Sequence, residues 1–298
     1  MASLRRKIDS AGDLQSVVHT MKVMAVSSIG QYEGAVRSLD DYYRTVQLGL
    51  AACFRQSAAS ATASASSSAT ATSAQQKKVG ATGAIVFGSD QGLVGQFNDV
   101  MVDFVVTTLA PLPGKKTVWA VGERIESRLV ETGLAAEKSF TLPNSINAIA
   151  TLVGQILIET EAEREQGTMA QIYLFYNQPV SGSVCAPVSR RLLPLDDVWQ
   201  RDLAAIDWPS KNLPEVMPRQ NDTLLAFVRE YLFVSLFMAC ALSLASENTS
   251  RLAAMQRAEK NIDELLGDLN RTFHRLRQSG IDEELFDVVS GFEALAKP

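Results

Sequence analysis

Between Leu4 and Leu50 the apolar residues recur at 4, 8, 11, 14, 18, 21, 25, 29, 32, 36, 39, 43, 46 and 50. The gaps alternate between three and four and average about 3.5, the coiled-coil period rather than the strand period of two. This predicts an N-terminal helix over 1–56. Gly12, Gly30, Gly34 and Gly49 each weaken it by about 1 kcal/mol relative to alanine, so it needs a partner to stay formed. A second stripe starts after Asp222, a candidate N-cap, and includes Leu224, Val228, Tyr231, Met238, Leu242, Met255, Ile262, Leu269, Phe273 and Leu276. A helix over 222–279 would be about 85 Å long at 1.5 Å per residue. Its first half is apolar nearly all round, which predicts burial on several sides, whereas 247–287 carries charges on a distinct face. Two such helices at opposite ends of one chain can bury their stripes by pairing antiparallel as a left-handed coiled coil.

The intervening sequence changes character twice. Residues 57–76, SAASATASASSSATATSAQQ, have no large apolar side chain and no charge, so 57–78 is expected to be a flexible linker. Strand-like GAIVFG (83–88), KTVWAVG (116–122) and MAQIYLFYN (169–177) then alternate with helical patterns at 97–110, 123–132 and 145–165. That alternation predicts a small parallel α/β sheet with crossover helices over 79–195, to which VSRRLLPL (188–195) could add an edge strand. A proline-rich connector, 196–221, precedes the C-terminal helical region 222–298. The fold class is therefore α/β, a long antiparallel coiled coil of terminal helices with an inserted Rossmann-like domain.

Composition narrows the partners. With 28 Lys and Arg against 33 Asp and Glu, the net charge of −5 supplies no basic footprint for nucleic acid. The run YLFVSLFMACALSLA (231–245) is shorter than the roughly 20 residues that span a bilayer, so no membrane crossing is expected. Arg5, Arg6 and Lys7 are followed by DSAGD rather than an apolar segment, unlike a signal peptide. Cys53, Cys185 and Cys240 are far apart and form no C-x-x-C pair, which disfavours a disulfide framework or a zinc site.

The stretch SDQGLVGQFN (89–98) follows a strand and precedes a helix, where a phosphate-cradling loop would sit. Its glycines, Gly88, Gly92 and Gly95, stand four and three apart instead of in the dinucleotide spacing G-x-G-x-x-G, and Asp90 would repel a phosphate. No G-x-x-x-x-G-K-[ST] occurs. His19 and His274 are the only histidines, and neither has ligands at metal spacing. There is no G-x-S-x-G nucleophile elbow. The acidic run 161–166 reads as a solvated helix end, and the acids at 282–284 as the first turn of a helix resumed after Gly280. No catalytic residue, cofactor or metal is expected.

Three stretches together resemble the gamma subunit of the F-type ATP synthase, in a divergent bacterial form. LRRKIDSAGDLQSVVHTMKVMA is similar to that family's N-terminal helix with its T-M-K-V-M-A segment. GSDQGLVGQFN resembles its loop S-D-R-G-L-C-G-x-x-N, in which Gly88, Asp90, Gly92, Gly95 and Asn98 form a structural glycine loop. ASENTSRLAAMQRAEKNIDELLGDLNRTFHRLRQSGIDEELFDVVSG is similar to its C-terminal signature. The resemblance runs the length of the chain in order.

It implies a central rotor shaft whose coiled coil stands inside a ring of three alpha and three beta subunits. The globular domain would rest on the c-ring beside the epsilon subunit, at the cytoplasmic face of the bacterial inner membrane, touching the membrane only through the c-ring. Ion flow would thereby be coupled to ATP synthesis or hydrolysis on the beta subunits. Arg277 and Gln278 match a pair that contacts a beta-subunit loop, Asp282 stands where that cluster commonly has threonine, and Met21 matches a stalk methionine near the same loop. Arg277 read by itself could instead cap a helix ending before Gly280. The Rossmann-like domain would hold no nucleotide, its glycine turn serving as packing near the stalk. Val94 replaces a common cysteine, and no cysteine pair is present for thiol regulation. The alternatives are a Rossmann-type nucleotide-binding enzyme with a dimerising coiled coil, or a coiled-coil scaffold.

Overall fold

The computed structural model describes residues 2–64, 81–165, 169–180, 185–195, 197–210, 212, 214 and 220–295. Along the chain these form α1 (Ala2–Ser64), β1 (Ala81–Phe87), α2 (Phe97–Leu109), β2 (Lys116–Val121), α3 (Glu123–Glu131), β3 (Ala136–Phe140), α4 (Ile146–Glu165), β4 (Met169–Pro179), β5 (Cys185–Leu193), α5 (Asp197–Ala204) and α6 (Gln220–Leu295). Two compact units result: Met1–Val26 with Arg251–Pro298, and Ser27–Ser250.

In the first unit both segments are helical. Ala11, Val18 and Ala25 are buried at seven-residue intervals on α1, and Met255 is buried on α6. This is the burial pattern that a 3.5-residue period produces. Polar ties flank the seam: Lys22 Nζ lies 2.6 Å from Glu259 and Gln15 Nε2 lies 2.5 Å from Asp263. As the residue number rises on one helix it falls on the other, so the segments run antiparallel. Leu14 and Leu276, placed on the buried stripes from the sequence, are instead 57% and 45% exposed.

Two helix limits also differ from expectation. α1 continues past Gln56 to Ser64, and the rest of the Ala/Ser/Thr run lies outside the described residues. α6 begins at Gln220, with Asp222 inside its first turn, and passes unbroken through Gly267 and Gly280 to Leu295. The carboxylates at 282–284 are therefore mid-helix rather than in a resumed first turn.

The second unit is built on a sheet of order β3-β2-β1-β4-β5, with β5 antiparallel to β4 and every other neighbour parallel. A parallel sheet covered on both faces needs strands apolar on both sides, which is why ATGAIVF reads as a continuous apolar run. Ala84 and Val86 face one core with Val118, Ala120 and Phe175, covered by Met101 and Val105 of α2 and by Ile125 and Leu129 of α3. Ile85 and Phe87 face the other with Trp119, Val121, Ile172 and Leu174. That core also takes in Ile149, Val153 and Ile156 of α4, Tyr32, Val46 and Leu50 of α1, and Tyr231, Leu232 and Leu236 of α6.

Several details were not anticipated. β3 is an edge strand with alternating exposure, held to α4 by Lys138, whose Nζ lies 2.5 Å from Glu159 and 3.3 Å from Glu163. The acidic end of α4 is thus partly paired instead of simply solvated. Gly49 does more than weaken α1: a Cβ there would stand 2.4 Å from the Phe227 ring, so its bare backbone makes room for α6.

Leu50 is fully buried in the core shared by α1, α6 and the sheet. Leu50→Ala is expected to cost about 2–5 kcal/mol, the range for truncating a buried leucine. Thermal unfolding followed by tryptophan fluorescence checks this, and an unchanged midpoint would deny α1 its part in that core.

Candidate functional site

β1 and β2 end side by side, Phe87 opposite Val121, and the glycine turn leaves from there. The Gly88 N–H donates to the Val121 carbonyl at 2.9 Å. A Cβ on Gly88 would stand 2.2 Å from Ile125 Cβ and 2.9 Å from Asn98 Oδ1, so no larger residue fits. The buried Asn98 side chain accepts from the Ser89 N–H at 3.1 Å and donates to Ser89 Oγ at 2.8 Å. Leu93 and Gly95 take the left-handed conformation at φ 64° and 61°, which turns the chain into α2. Gly92 lies under Arg124, whose Nη2 would be 3.3 Å from an added Cβ.

Asp90 explains what this turn does with an anion-binding geometry. One carboxylate oxygen accepts the N–H of Glu123, the first residue of α3, at 3.0 Å, and the other accepts the Leu142 N–H at 3.2 Å. A helix N-terminus offers unsatisfied N–H groups and positive potential to an anion. Here a side chain of the same protein accepts that bond, and the turn becomes a lock joining β1, α2, α3 and the segment after β3. Gly88, Asp90, Gly92, Gly95 and Asn98 are all gathered in this one turn. The hydrogen bonds of Asp90 and Asn98 run within the α/β domain, not to α1 or α6.

Arg277, Gln278 and Asp282 are exposed on α6, and Gln278 and Asp282, four residues apart, share a face. Because α6 runs through Gly280, Arg277 does not sit in a terminal turn and the capping alternative is withdrawn. Met21 is partly buried beside Lys22, whose partner is Glu259. From Glu259 to Arg277 is about 27 Å along a helix at 1.5 Å per residue. Met21 is therefore not brought together with the Arg277 group.

A cluster that sequence reading missed joins the α/β domain to both long helices. Arg190 of β5 donates through Nη2 to the phenol oxygens of Tyr43 on α1 and Tyr231 on α6, the latter at 3.1 Å. Its guanidinium also lies 5.4 and 5.9 Å from the two ring centroids, within cation–π range. The tyrosine rings stack at 5.8 Å, and Trp199 of α5 packs edge-on to Tyr231 at 5.0 Å while donating Nε1–H to its oxygen at 3.1 Å. Arg190 thus bonds phenols where a carboxylate would be the usual partner; β5, α1 and α6 meet on one planar donor, and α5 joins them through Tyr231. The available signal was weak: two tyrosines within apolar stripes and an arginine within an apolar strand.

Cys53 and Cys240 are buried, and desolvation pushes both thiols up, away from the reactive thiolate.

A family model described as ATP synthase matches residues 1–295. Among curated relatives, the ATP synthase gamma chain of Methylibium petroleiphilum is 26% identical over 296 residues, covering 98% of each chain. That of Clavibacter sepedonicus is 27% identical over 304 residues, covering 98% of this chain and 96% of the relative. The fold is shared with a chain of the rotor of Euglena gracilis mitochondrial ATP synthase, with TM-score 0.63, 15% identity, and coverage of 94% of this chain and 98% of that one. A chain from the central stalk and c-ring structure of the Tetrahymena thermophila mitochondrial enzyme gives TM-score 0.55 at 20% identity, covering 81% and 99%. The chain belongs to the gamma-subunit family of the F-type ATP synthase, the central stalk of that complex.

Burial raises the Tyr43 phenol from 10.0 to about 12, against the opposing pull of Arg190. A raised folded value means that the folded state keeps the proton longer than the unfolded chain. The resulting stability is whole below pH 10, shrinks above it and is lost as pH passes about 12. Urea unfolding across that window should show stability falling with pH, and falling less steeply in Tyr43→Phe; identical slopes would remove Tyr43 from the effect.

Proposed function

We propose that the chain is the non-catalytic rotor shaft of its complex, coupling ion translocation through a c-ring to ATP synthesis or hydrolysis on beta subunits. Three alpha and three beta subunits enclose its terminal helices. The α/β domain sits on the c-ring beside epsilon, at the cytoplasmic face of a bacterial inner membrane. One observation carries this reading: the terminal helices expose large apolar side chains on surfaces their mutual packing does not use. Val17, Val23, Met24 and Val26 on α1 are 54–64% exposed. On α6, Ile281, Leu285, Phe286 and Val288 are 53–73% exposed. Apolar surface of that extent marks a surface that a partner covers.

A single asymmetric chain inside a threefold ring presents a different face to each of three equivalent sites. It can bias each site between open and closed states only through unequal contact energy. Arg277, Gln278 and Asp282 are the polar groups proposed to meet a beta-subunit loop, and Met21 a contact elsewhere along the helices. The glycine turn is proposed to keep the α/β domain rigid without nucleotide.

Reconstitution with alpha and beta chains should give a complex of one of this chain to three of each; absence of such a complex rejects the proposal. In that complex Arg277→Ala combined with Gln278→Ala should lower coupled turnover while changing thermal stability by no more than about 0.5 kcal/mol, since both positions are exposed. Full turnover in the double variant would remove these two residues from the contact.

A further inference from the structure

We propose that Arg190 is a positioning residue that carries torque between the α/β domain and the two long helices. The inference rests on the rotor reading and adds the joint through which the rotor would transmit force.

Rotation under load shears the boundary between the α/β domain and α1 and α6. Most of that boundary is aliphatic and aromatic packing. Such packing is non-directional and resists separation better than sliding, whereas charge-assisted hydrogen bonds and stacked rings are directional and resist displacement. Arg190 supplies both. It is bonded to Tyr43 and Tyr231, one on each long helix, and the two rings stack on each other, so neither helix can slide past β5 without breaking a bond from the same guanidinium.

On its other side Arg190 is anchored in the sheet. It pairs with Leu174 in the β4–β5 ladder, and β4 pairs in turn with the central strand β1. Trp199 braces Tyr231 from α5. A second polar tie, from Arg55 Nη2 to the Ile206 carbonyl at 2.6 Å, joins only α1 to the segment after α5. From the sheet Arg190 reaches both long helices, and Cys185 Sγ of β5, 3.4 Å from the Ser246 carbonyl, adds a tie to α6.

The test uses the assembled, membrane-reconstituted complex carrying Arg190→Gln, Arg190→Lys or Tyr231→Phe, with ATP hydrolysis in detergent and ATP-driven ion pumping in sealed vesicles measured side by side. Hydrolysis without load should stay within about twofold of the unsubstituted complex, because the terminal segments are untouched. The steady-state gradient per ATP hydrolysed should fall below about half in Arg190→Gln, and less in Arg190→Lys, which keeps the charge but loses the planar guanidinium that lies beside the two rings. A merely structural role would lower hydrolysis and pumping by the same factor, and that parallel loss, or an unchanged ratio, overturns the proposal. If Arg190→Gln does not assemble, Tyr231→Phe, which keeps the ring in the core, decides by the same ratio. Failure of the unsubstituted chain to assemble or pump would instead reject the rotor reading itself.

Discussion

Everything in this structure depends on α1 finding apolar partners along its length. A helix running Ala2–Ser64, interrupted by four glycines between residues 12 and 49, gains too little from backbone hydrogen bonds to persist in water. Its stripe meets that need separately in each unit. Ala11, Val18 and Ala25 are buried in the first, and Tyr32, Val46 and Leu50 join the core of the second. α6 meets the same requirement with a different chemistry: nearly continuous burial from Tyr231 to Thr249, then a charged and largely exposed surface beyond it. The change in surface along α6 separates the part that belongs to the α/β core from the part available to other subunits.

Within the second unit, two polar devices fix what apolar packing alone would leave loose. At the carboxyl ends of β1 and β2, Asp90 satisfies backbone donors at the start of α3 and before α4, and Gly88 lets Ile125 close over the turn. In nucleotide-binding relatives of this architecture the corresponding position faces a phosphate; here an internal carboxylate accepts the bond, so the sheet gains rigidity from its own sequence. At the β5 edge, Arg190 secures both long helices. Cation, hydrogen bond and ring stacking converge there because guanidinium is planar and weakly hydrated, so it can be partly buried among phenols.

Much of this was legible in the residues. The 3.5 period announced both long helices, and apolar runs bounded by glycine announced β1, β2 and β4. The strand β3 was missed because AEKSF carries adjacent charges, Glu137 and Lys138, one on each face, which hides the apolar–polar alternation of a strand. α5 was missed because eight residues leave little periodicity to read. Gly280 was read as a stop because glycine commonly ends helices, yet nothing in its surroundings demands one, and the flanking sequence carries the helix onward at a cost of about 1 kcal/mol. The arginine clamp was invisible for a different reason. Tyr43, Arg190, Trp199 and Tyr231 come from four elements, and only the fold places them together.

The central claim is that this chain turns as one shaft inside a threefold ring. The most direct measurement fixes a reconstituted alpha–beta ring to a surface, marks the α/β domain of this chain with a bead or fluorophore, and records its orientation during ATP hydrolysis. The account predicts unidirectional rotation with three dwells per turn. ATP hydrolysis by the complex with the α/β domain stationary, or tumbling without preferred angles, would contradict it.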